Sequence, residues 1–271
     1  MESNYPDIKE SIGIVLIMLF FMVFFYPIES MLASYLDKEL LLFLAYTLSV
    51  GIPFLIFHKN RRKKTGQTSY NLNTKDFQIL PVVIAANSAL LFGVSTPIIS
   101  LIPFPDFMKE ILIELSKLNG FYSALTIVFI GPVLEELIFR GIVLDGLLKK
   151  YSPMKAVIVS SLLFGFIHLN PWQFLGAAIF GLLSGWVYFK TRNILLTVAM
   201  HITNNGISFI QSFFYSEREM IESSFSEFYG GTFNAVLVVG GCILILFASL
   251  LYMNTYFKQK TITLVHSSTE I

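Results

Sequence analysis

Long apolar runs separated by short polar breaks extend along the chain from residue 12 to residue 257. Most of these runs have the roughly 17–25 residues that an α-helix needs to cross a bilayer. We therefore expect an all-α, polytopic transmembrane bundle of about eight spanning helices. The predicted helices cover residues 12–34, 40–58, 78–102, 121–148, 154–169, 172–189, 193–213 and 233–257.

Composition supports lipid as the main solvent of this chain. Of its 271 residues, 55% are hydrophobic and 14% are charged, with a mean hydropathy of +0.69. Soluble domains are about 45–50% apolar and about 25% charged. A net charge of +1 gives no sign of a nucleic-acid partner. The single cysteine, Cys242, excludes an intrachain disulfide and a cysteine-based metal cluster.

The distribution of cations predicts the orientation of the bundle. With a cytoplasmic N-terminus, the outer segments contain Lys38, Lys109, Lys117 and Arg218, and Arg140 lies within the membrane. All the other cations then lie inside, which is the asymmetry typical of cytoplasmic loops. These are Lys9, Lys59, Arg61, Arg62, Lys63, Lys64, Lys75, Lys149, Lys150, Lys155, Lys190, Arg192, Lys258 and Lys260. We expect a multi-pass protein of a prokaryotic plasma membrane with both termini cytoplasmic.

Three charged residues interrupt the fourth predicted helix within the stretch GPVLEELIFR. Each costs at least ~2.5–3.5 kcal/mol at the centre of a spanning helix, so each needs a reason. Glu136 and Arg140 are four residues apart and should form an ion pair on one face. Glu135 points about 100° away and has no partner on its own helix. Pro132 removes one backbone hydrogen bond and can open this helix.

Two other helices place polar side chains at a similar depth. The stretch FGFIH contains His168, and HITNN contains His201 and Asn205. Glu135, His168 and Asn205 each lie 13 or 14 residues from the nearest inner cation along their helices, which is about 20 Å. His201 lies about one turn away. The four side chains can therefore meet inside the membrane.

This set of residue types suits hydrolysis by an activated water molecule. Glu135 can act as a general base on water held between it and His168. Asn205 and His201 can stabilise a tetrahedral oxyanion. No Ser–His–Asp arrangement is apparent. A catalytic zinc ion bound by Glu135, His168 and His201 is the alternative, although the sequence lacks H-E-x-x-H. We expect no cofactor, with zinc as the exception to test.

The three motifs, in this order, resemble the CAAX-protease and bacteriocin-processing family of intramembrane proteases, also called the Abi family. EELIFR fits E-E-x-x-x-R, FGFIH fits F-x-x-x-H, and HITNN fits H-x-x-x-N. The resemblance covers residues 121–210 and implies a catalytic core there. It assigns base, water-positioning and oxyanion roles as above, with Glu136 and Arg140 as support, and it implies a metal-independent mechanism.

The remaining segments carry no motif of that family. Residues 1–120 are expected to form N-terminal spanning helices and an interfacial segment whose apolar face is Phe107, Ile111, Leu115 and Leu118. Residues 211–271 are expected to form an acidic outer loop, a last span and a cytoplasmic tail.

The expected function is intramembrane proteolysis by a CAAX-type protease. Its expected partners are a membrane-associated peptide or protein substrate and the lipid bilayer, with no nucleic acid. Two other classes stay open at this point: a proton-coupled transporter, and a non-catalytic bacteriocin-immunity or scaffold protein. The sequence leaves the oligomeric state undetermined.

Overall fold

The computed structural model describes residues 4–74, 76–103, 105–215, 219 and 223–269. Part of the predicted acidic outer loop falls outside these residues, as do the predicted cations Lys75 and Arg218. The side chains of Ile111 and Leu115, predicted to face a membrane interface, are also outside the description.

The described residues form helices joined by short turns, without a strand. In chain order the α-helices are α1 Ile8–Leu32, α2 Lys38–Thr65, α3 Leu80–Leu90, α4 Thr96–Ile99, α5 Asp106–Ser116, α6 Phe121–Ala124, α7 Gly131–Ile138, α8 Asp145–Leu147, α9 Pro153–Phe166, α10 Pro171–Thr191, α11 Ile194–Gln211, α12 Phe225–Phe228 and α13 Thr232–Thr269. A 3₁₀ turn, Phe77–Ile79, precedes α3, and π-helical segments occupy Leu91–Ser95, Leu125–Ile130 and Phe139–Leu144.

These elements confirm the all-α polytopic fold. Five helical stretches of the described chain are long and apolar enough to cross a membrane: Ile8–Leu32, Lys38–Thr65, Phe77–Ile99, Pro171–Thr191 and Thr232–Lys260. The other three predicted spans are helical but differ in kind. Residues 121–147 are divided by two π-helical segments, α9 has 14 residues, and α11 contains the polar stretch HITNN.

Side-chain caps explain where several helices begin. Asp7 accepts a hydrogen bond from the Glu10 N–H at 3.0 Å, and Glu10 accepts one from the Asp7 N–H at 2.9 Å, which is a capping box for α1. Asn170 accepts from the Gln173 N–H at 2.9 Å and so begins α10 at Pro171.

Small residues let α9 and α10 pack closely, as the GLLSG pattern indicates. A Cβ atom added at Gly165 would lie 2.6 Å from the Phe174 carbonyl oxygen, and one added at Gly181 would lie 3.0 Å from Ser161. The first distance is shorter than real Cβ contacts, and the second is tighter than most of them. Glycine at position 165 therefore lets α9 hold its C-terminal end, and His168 beyond it, against α10.

A buried carboxylate ties several helices together at one end of the bundle. The Asp145 side chain is 8% exposed and accepts hydrogen bonds from Arg192 at 3.1 Å and Tyr188 at 3.3 Å. Lys149 lies 3.1 Å from it and Arg61 lies 3.9 Å away. Three cations from three segments thus neutralise one acid.

The other predicted inner cations collect at the same end. Lys64 pairs with Glu10 at 2.5 Å, and Lys150 pairs with Asp7 at 3.0 Å. We refer to this end, defined by Asp145 and these two pairs, as the cationic face. It contains the start of α1, the end of α2 and the turns next to α8 and α10.

Candidate active site

Two π-helical segments flank α7, the helix that carries both glutamates. The Gly131 N–H donates to the Thr126 carbonyl, and Pro132 has no N–H to donate. The Ile127 carbonyl instead accepts a hydrogen bond from Asn205 Nδ2 at 2.9 Å. Asn205 thus fixes α11 to the opened turn before α7, and one amide hydrogen remains for another acceptor.

The expected Glu136–Arg140 ion pair is present at 3.0 Å, and the two side chains are 0% and 1% exposed. Arg140 also donates to Ser184 Oγ and lies over the rings of Phe164 at 4.7 Å and Phe180 at 5.5 Å. A guanidinium so enclosed has one available arrangement. The pair therefore anchors α7 against α9 and α10 within the core.

Glu135 is the glutamate that faces the interior cavity. Its side chain is 15% exposed, and its Oε2 lies 3.8 Å from His201 Nε2. The Tyr46 hydroxyl of α2 donates a hydrogen bond to Oε1. Sequence reasoning missed Tyr46. The available signal was a hydroxyl within the apolar run LLLFLAYTLSV, which lies in a segment without a recognisable motif.

His201 is fixed by contacts on several sides. Its Nδ1–H donates to Glu136 Oε1 at 3.1 Å, so Nε2 carries a proton only in the imidazolium form. The ring lies edge-on to Phe164 and 4.9 Å from the Phe180 centroid. Glu136 thus orients the imidazole in addition to neutralising Arg140. The distance from Nε2 to Glu135 exceeds a direct hydrogen bond and suits a shared ligand.

His168 lies two residues beyond the end of α9, although the predicted helix 154–169 includes it. The α-helix ends at Phe166, three residues earlier than the predicted 169, and Leu169 has a left-handed backbone with φ of 56°. Nδ1–H of His168 donates to the Phe164 carbonyl at 3.0 Å, which leaves Nε2 for a ligand. In the described chain, no hydrogen bond or ion pair joins His168 to Glu135.

One cavity of about 440 Å³ brings the four predicted site residues together. Glu135, His168, His201 and Asn205 all line it. Phe164 separates the two imidazoles, with both rings edge-on to it at 5.4 and 5.6 Å. Asn204 also lines the cavity. Four further lining residues lie outside the predicted core at 121–210, namely Asn87 of α3, Ser95, Ile99 and Met108.

A metal site does not form from these side chains as they stand. Among the described residues, no three of the His, Cys, Asp and Glu side chains are grouped so that they could share a metal ion. Glu135 and His201 are neighbours, whereas His168 is directed by its bond to the Phe164 carbonyl. The alternative zinc set of Glu135, His168 and His201 therefore does not fit this arrangement.

Fold and site together define a polytopic membrane protein with an acid–imidazole–amide cavity inside the bilayer. Residues 117–207 match the sequence model of the family described as "Type II CAAX prenyl endopeptidase Rce1-like". The chain is 30% identical over 125 residues to the UPF0177 protein YxdF of Lactococcus lactis subsp. lactis (strain IL1403), which covers 44% of this chain and 67% of that protein.

A second relative is named "Putative membrane peptidase YdiL", from Bacillus subtilis (strain 168). It is 32% identical over 76 residues, which is 28% of this chain and less than a third of that relative's length. No solved structure matches the chain. The chain belongs to the CAAX-protease and bacteriocin-processing (Abi) family, and its matching segment is Rce1-like.

Proposed function

We propose that this protein is an intramembrane endopeptidase of the CAAX-protease type. It hydrolyses a peptide bond of a membrane-associated protein or peptide in the plasma membrane, without a resident cofactor. The observation that carries the proposal is the position of Glu135. It lines a cavity, lies 3.8 Å from an imidazole nitrogen and has a tyrosine hydroxyl as its hydrogen-bond partner.

The attack step uses the carboxylate as a general base. Glu135 takes a proton from a water molecule bound in the cavity, and the resulting hydroxide adds to the scissile carbonyl carbon. The Tyr46 hydroxyl holds Oε1, so that Oε2 is the oxygen turned toward His201 and available for the proton. His168 lines the same cavity and can orient the water through its Nε2.

The tetrahedral oxyanion requires hydrogen-bond donors. The second Nδ2 hydrogen of Asn205 is one donor, and Nε2–H of His201 is another when the ring is an imidazolium. Protonated Glu135 then gives its proton to the leaving amine, and the peptide bond breaks.

The proposal is tested by mapping peptide termini in membranes from cells that carry wild type, Glu135→Gln or no copy. New termini that depend on wild type and vanish with Glu135→Gln are the expected result. Glu29→Gln is the matched control, because Glu29 is a membrane carboxylate of α1 outside the cavity lining. It should give the wild-type termini.

Transport or scaffolding would give a different result. In that case the wild-type and Glu135→Gln membranes would share one set of termini, and both would differ in phenotype from the deletion. Such an outcome would end the assignment as a peptidase. The mutant protein must accumulate at the wild-type level for this comparison to hold, which immunoblotting of the membranes measures.

A further inference from the structure

The exposed residues that line the catalytic cavity include Gln173 at the start of α10 and Ser208 near the end of α11, and we call this part of the cavity its mouth. Because α10 ends and α11 begins beside Asp145, the start of α10 and the end of α11 lie at the end of the bundle opposite the cationic face. Trp172 Nε1 donates to the Ile102 carbonyl at 3.0 Å, which places the turn after α4 at the same end.

The asymmetry of charge gives this mouth a side of the membrane. Cations concentrate in cytoplasmic loops, and the cationic face holds the paired residues Lys64, Lys149 and Lys150. The cationic face also contains Arg61 and Arg192 beside Asp145, whereas the opposite end of the described chain has Lys38, Lys109 and Lys117. The cavity thus opens toward the extracytoplasmic side.

A second cavity, of about 540 Å³, adjoins the first. The two share Leu91, Ile99 and Ser208 as lining residues. The apolar part of the second wall consists of Phe92, Ile102, Pro103, Phe225 and Phe228, together with two of the shared residues, and Lys109 of α5 is among its polar lining residues. Its location beside the amphipathic α5 places it at the outer interface of the membrane.

We propose that the enzyme takes its substrate from the extracytoplasmic face, as an extended peptide segment with apolar side chains. Those side chains occupy the second cavity while the scissile amide lies beside Glu135. The three lining residues that the cavities share carry the assignment of the occupant, since a peptide that reaches Glu135 past Ser208 and Ile99 also contacts the second cavity. The part concerning cleavage rests on the proposed function, whereas the side of opening does not.

Thiol labelling tests the side of opening without any activity. In a Cys242→Ser background, which removes the one native cysteine, Ser208→Cys and Ser152→Cys place single thiols at opposite ends. Both serines are exposed, and Ser152 lies in the turn before α9 among the inner cations. A charged, membrane-impermeant maleimide should label Ser208→Cys in intact cells, and Ser152→Cys only after permeabilisation.

The reverse pattern, or labelling of Ser208→Cys only in inverted vesicles, would overturn the proposal. The mapping of peptide termini in membranes, which tests the proposed function, gives an independent readout. Wild-type-dependent cuts should lie on extracytoplasmic segments of their parent proteins, next to apolar residues. Cuts in cytoplasmic segments would contradict the proposed side of entry but not the peptidase activity. Absence of wild-type-dependent cuts, with Ser208→Cys still labelled from outside, would contradict the peptidase activity but not the side of opening.

The apolar subsite has its own test once a cleaved peptide is in hand. Phe225→Ala should raise KM for that peptide by about tenfold or more with little change in kcat, because the substrate loses the burial that a phenylalanine ring provides. Phe233→Ala is the matched control, since Phe233 is 75% exposed at the start of α13 and lines neither cavity. Equal KM values for wild type and Phe225→Ala would remove the second cavity from the binding site.

Discussion

Asp145 and Glu135 are both carboxylates within the helical bundle, and their surroundings differ in one decisive way. Asp145 has Arg61, Lys149 and Arg192 within 4 Å. Glu135 has a neutral tyrosine hydroxyl, an imidazole at 3.8 Å and an open cavity. A carboxylate surrounded by cations has no capacity left for a proton or a ligand, whereas one beside a cavity has both.

The comparison extends to the next residue in the chain. Glu136 contacts Arg140 and His201 and is fully buried, so it belongs with Asp145 as a structural acid. A single step along α7 therefore separates an acid that holds the helices together from one that is available for chemistry. The helical rotation of about 100° per residue produces this division.

Glu135→Gln should give the largest functional effect. The amide keeps the size of the side chain but cannot accept a proton, and removal of a general base costs roughly 10²–10⁴-fold in rate. Thermal stability should stay near that of wild type, because the amide oxygen can still accept from Tyr46 and the buried Glu136–Arg140 pair is kept. Turnover of a cleaved peptide and the melting temperature in detergent measure the two effects. Activity within severalfold of wild type would contradict the base role.

Asp145→Asn should give the opposite pattern. It leaves three cations at one site without their acid, and we expect the free energy of unfolding to fall by about 3 kcal/mol. This is the low end for a broken buried ion pair, because Lys149 and Arg192 are partly exposed. Turnover per folded molecule should be unchanged. Thermal unfolding and active-site-normalised rates separate the effects. Loss of turnover in stably folded protein would show that the two acids are coupled.

Tyr46→Phe should have an intermediate effect on Glu135 alone. A hydrogen bond to a charged group contributes about 1.5–3 kcal/mol, so we expect kcat to fall about tenfold or more while KM changes little. Tyr35→Phe is a matched control, because Tyr35 is 82% exposed. Equal kcat values for wild type and Tyr46→Phe would assign Tyr46 to packing.

Sequence alone could predict the helices and the four side chains that line the cavity, but not the hydrogen bonds that hold those side chains in place. Long apolar runs determine the helices because lipid leaves few other structures for a spanning backbone. The depth argument brought Glu135, His168 and Asn205 to one level, with His201 about one turn away, because rise per residue is a property of any α-helix. Tyr46 lies 89 residues from Glu135, and no local pattern joins residues at that separation.

The irregular backbone around α7 was predictable in part. Pro132 indicated a missing backbone hydrogen bond, yet the π-helical segments depend on tertiary partners. Asn205 supplies the bond to the Ile127 carbonyl, and Ser160 donates to the Phe139 carbonyl at 3.2 Å, at the start of the second π-helical segment. Such partners become visible only when neighbouring helices are in place.

Asp7 is a third kind of acid, half-buried at the cationic face, and should show the smallest effect. The backbone hydrogen bond from Glu10 and the pairing with Lys150 lower the pKa of its carboxyl group below the ordinary value. A lowered pKa means that its stabilisation is complete above about pH 4 and is lost as the pH falls through the folded-state pKa.

Substitution of Asp7 separates its cap from its charge. Asp7→Ala removes the cap of α1 and should cost about 1 kcal/mol. Asp7→Asn keeps a good cap and loses only the attraction to Lys150, so it should cost less and should abolish the acid-dependent part. Melting temperatures at pH 7 and at about pH 3, below the ordinary pKa of the group, measure both. Equal losses for the two variants would mean that charge, rather than capping, is the main contribution of Asp7, as it is for Asp145.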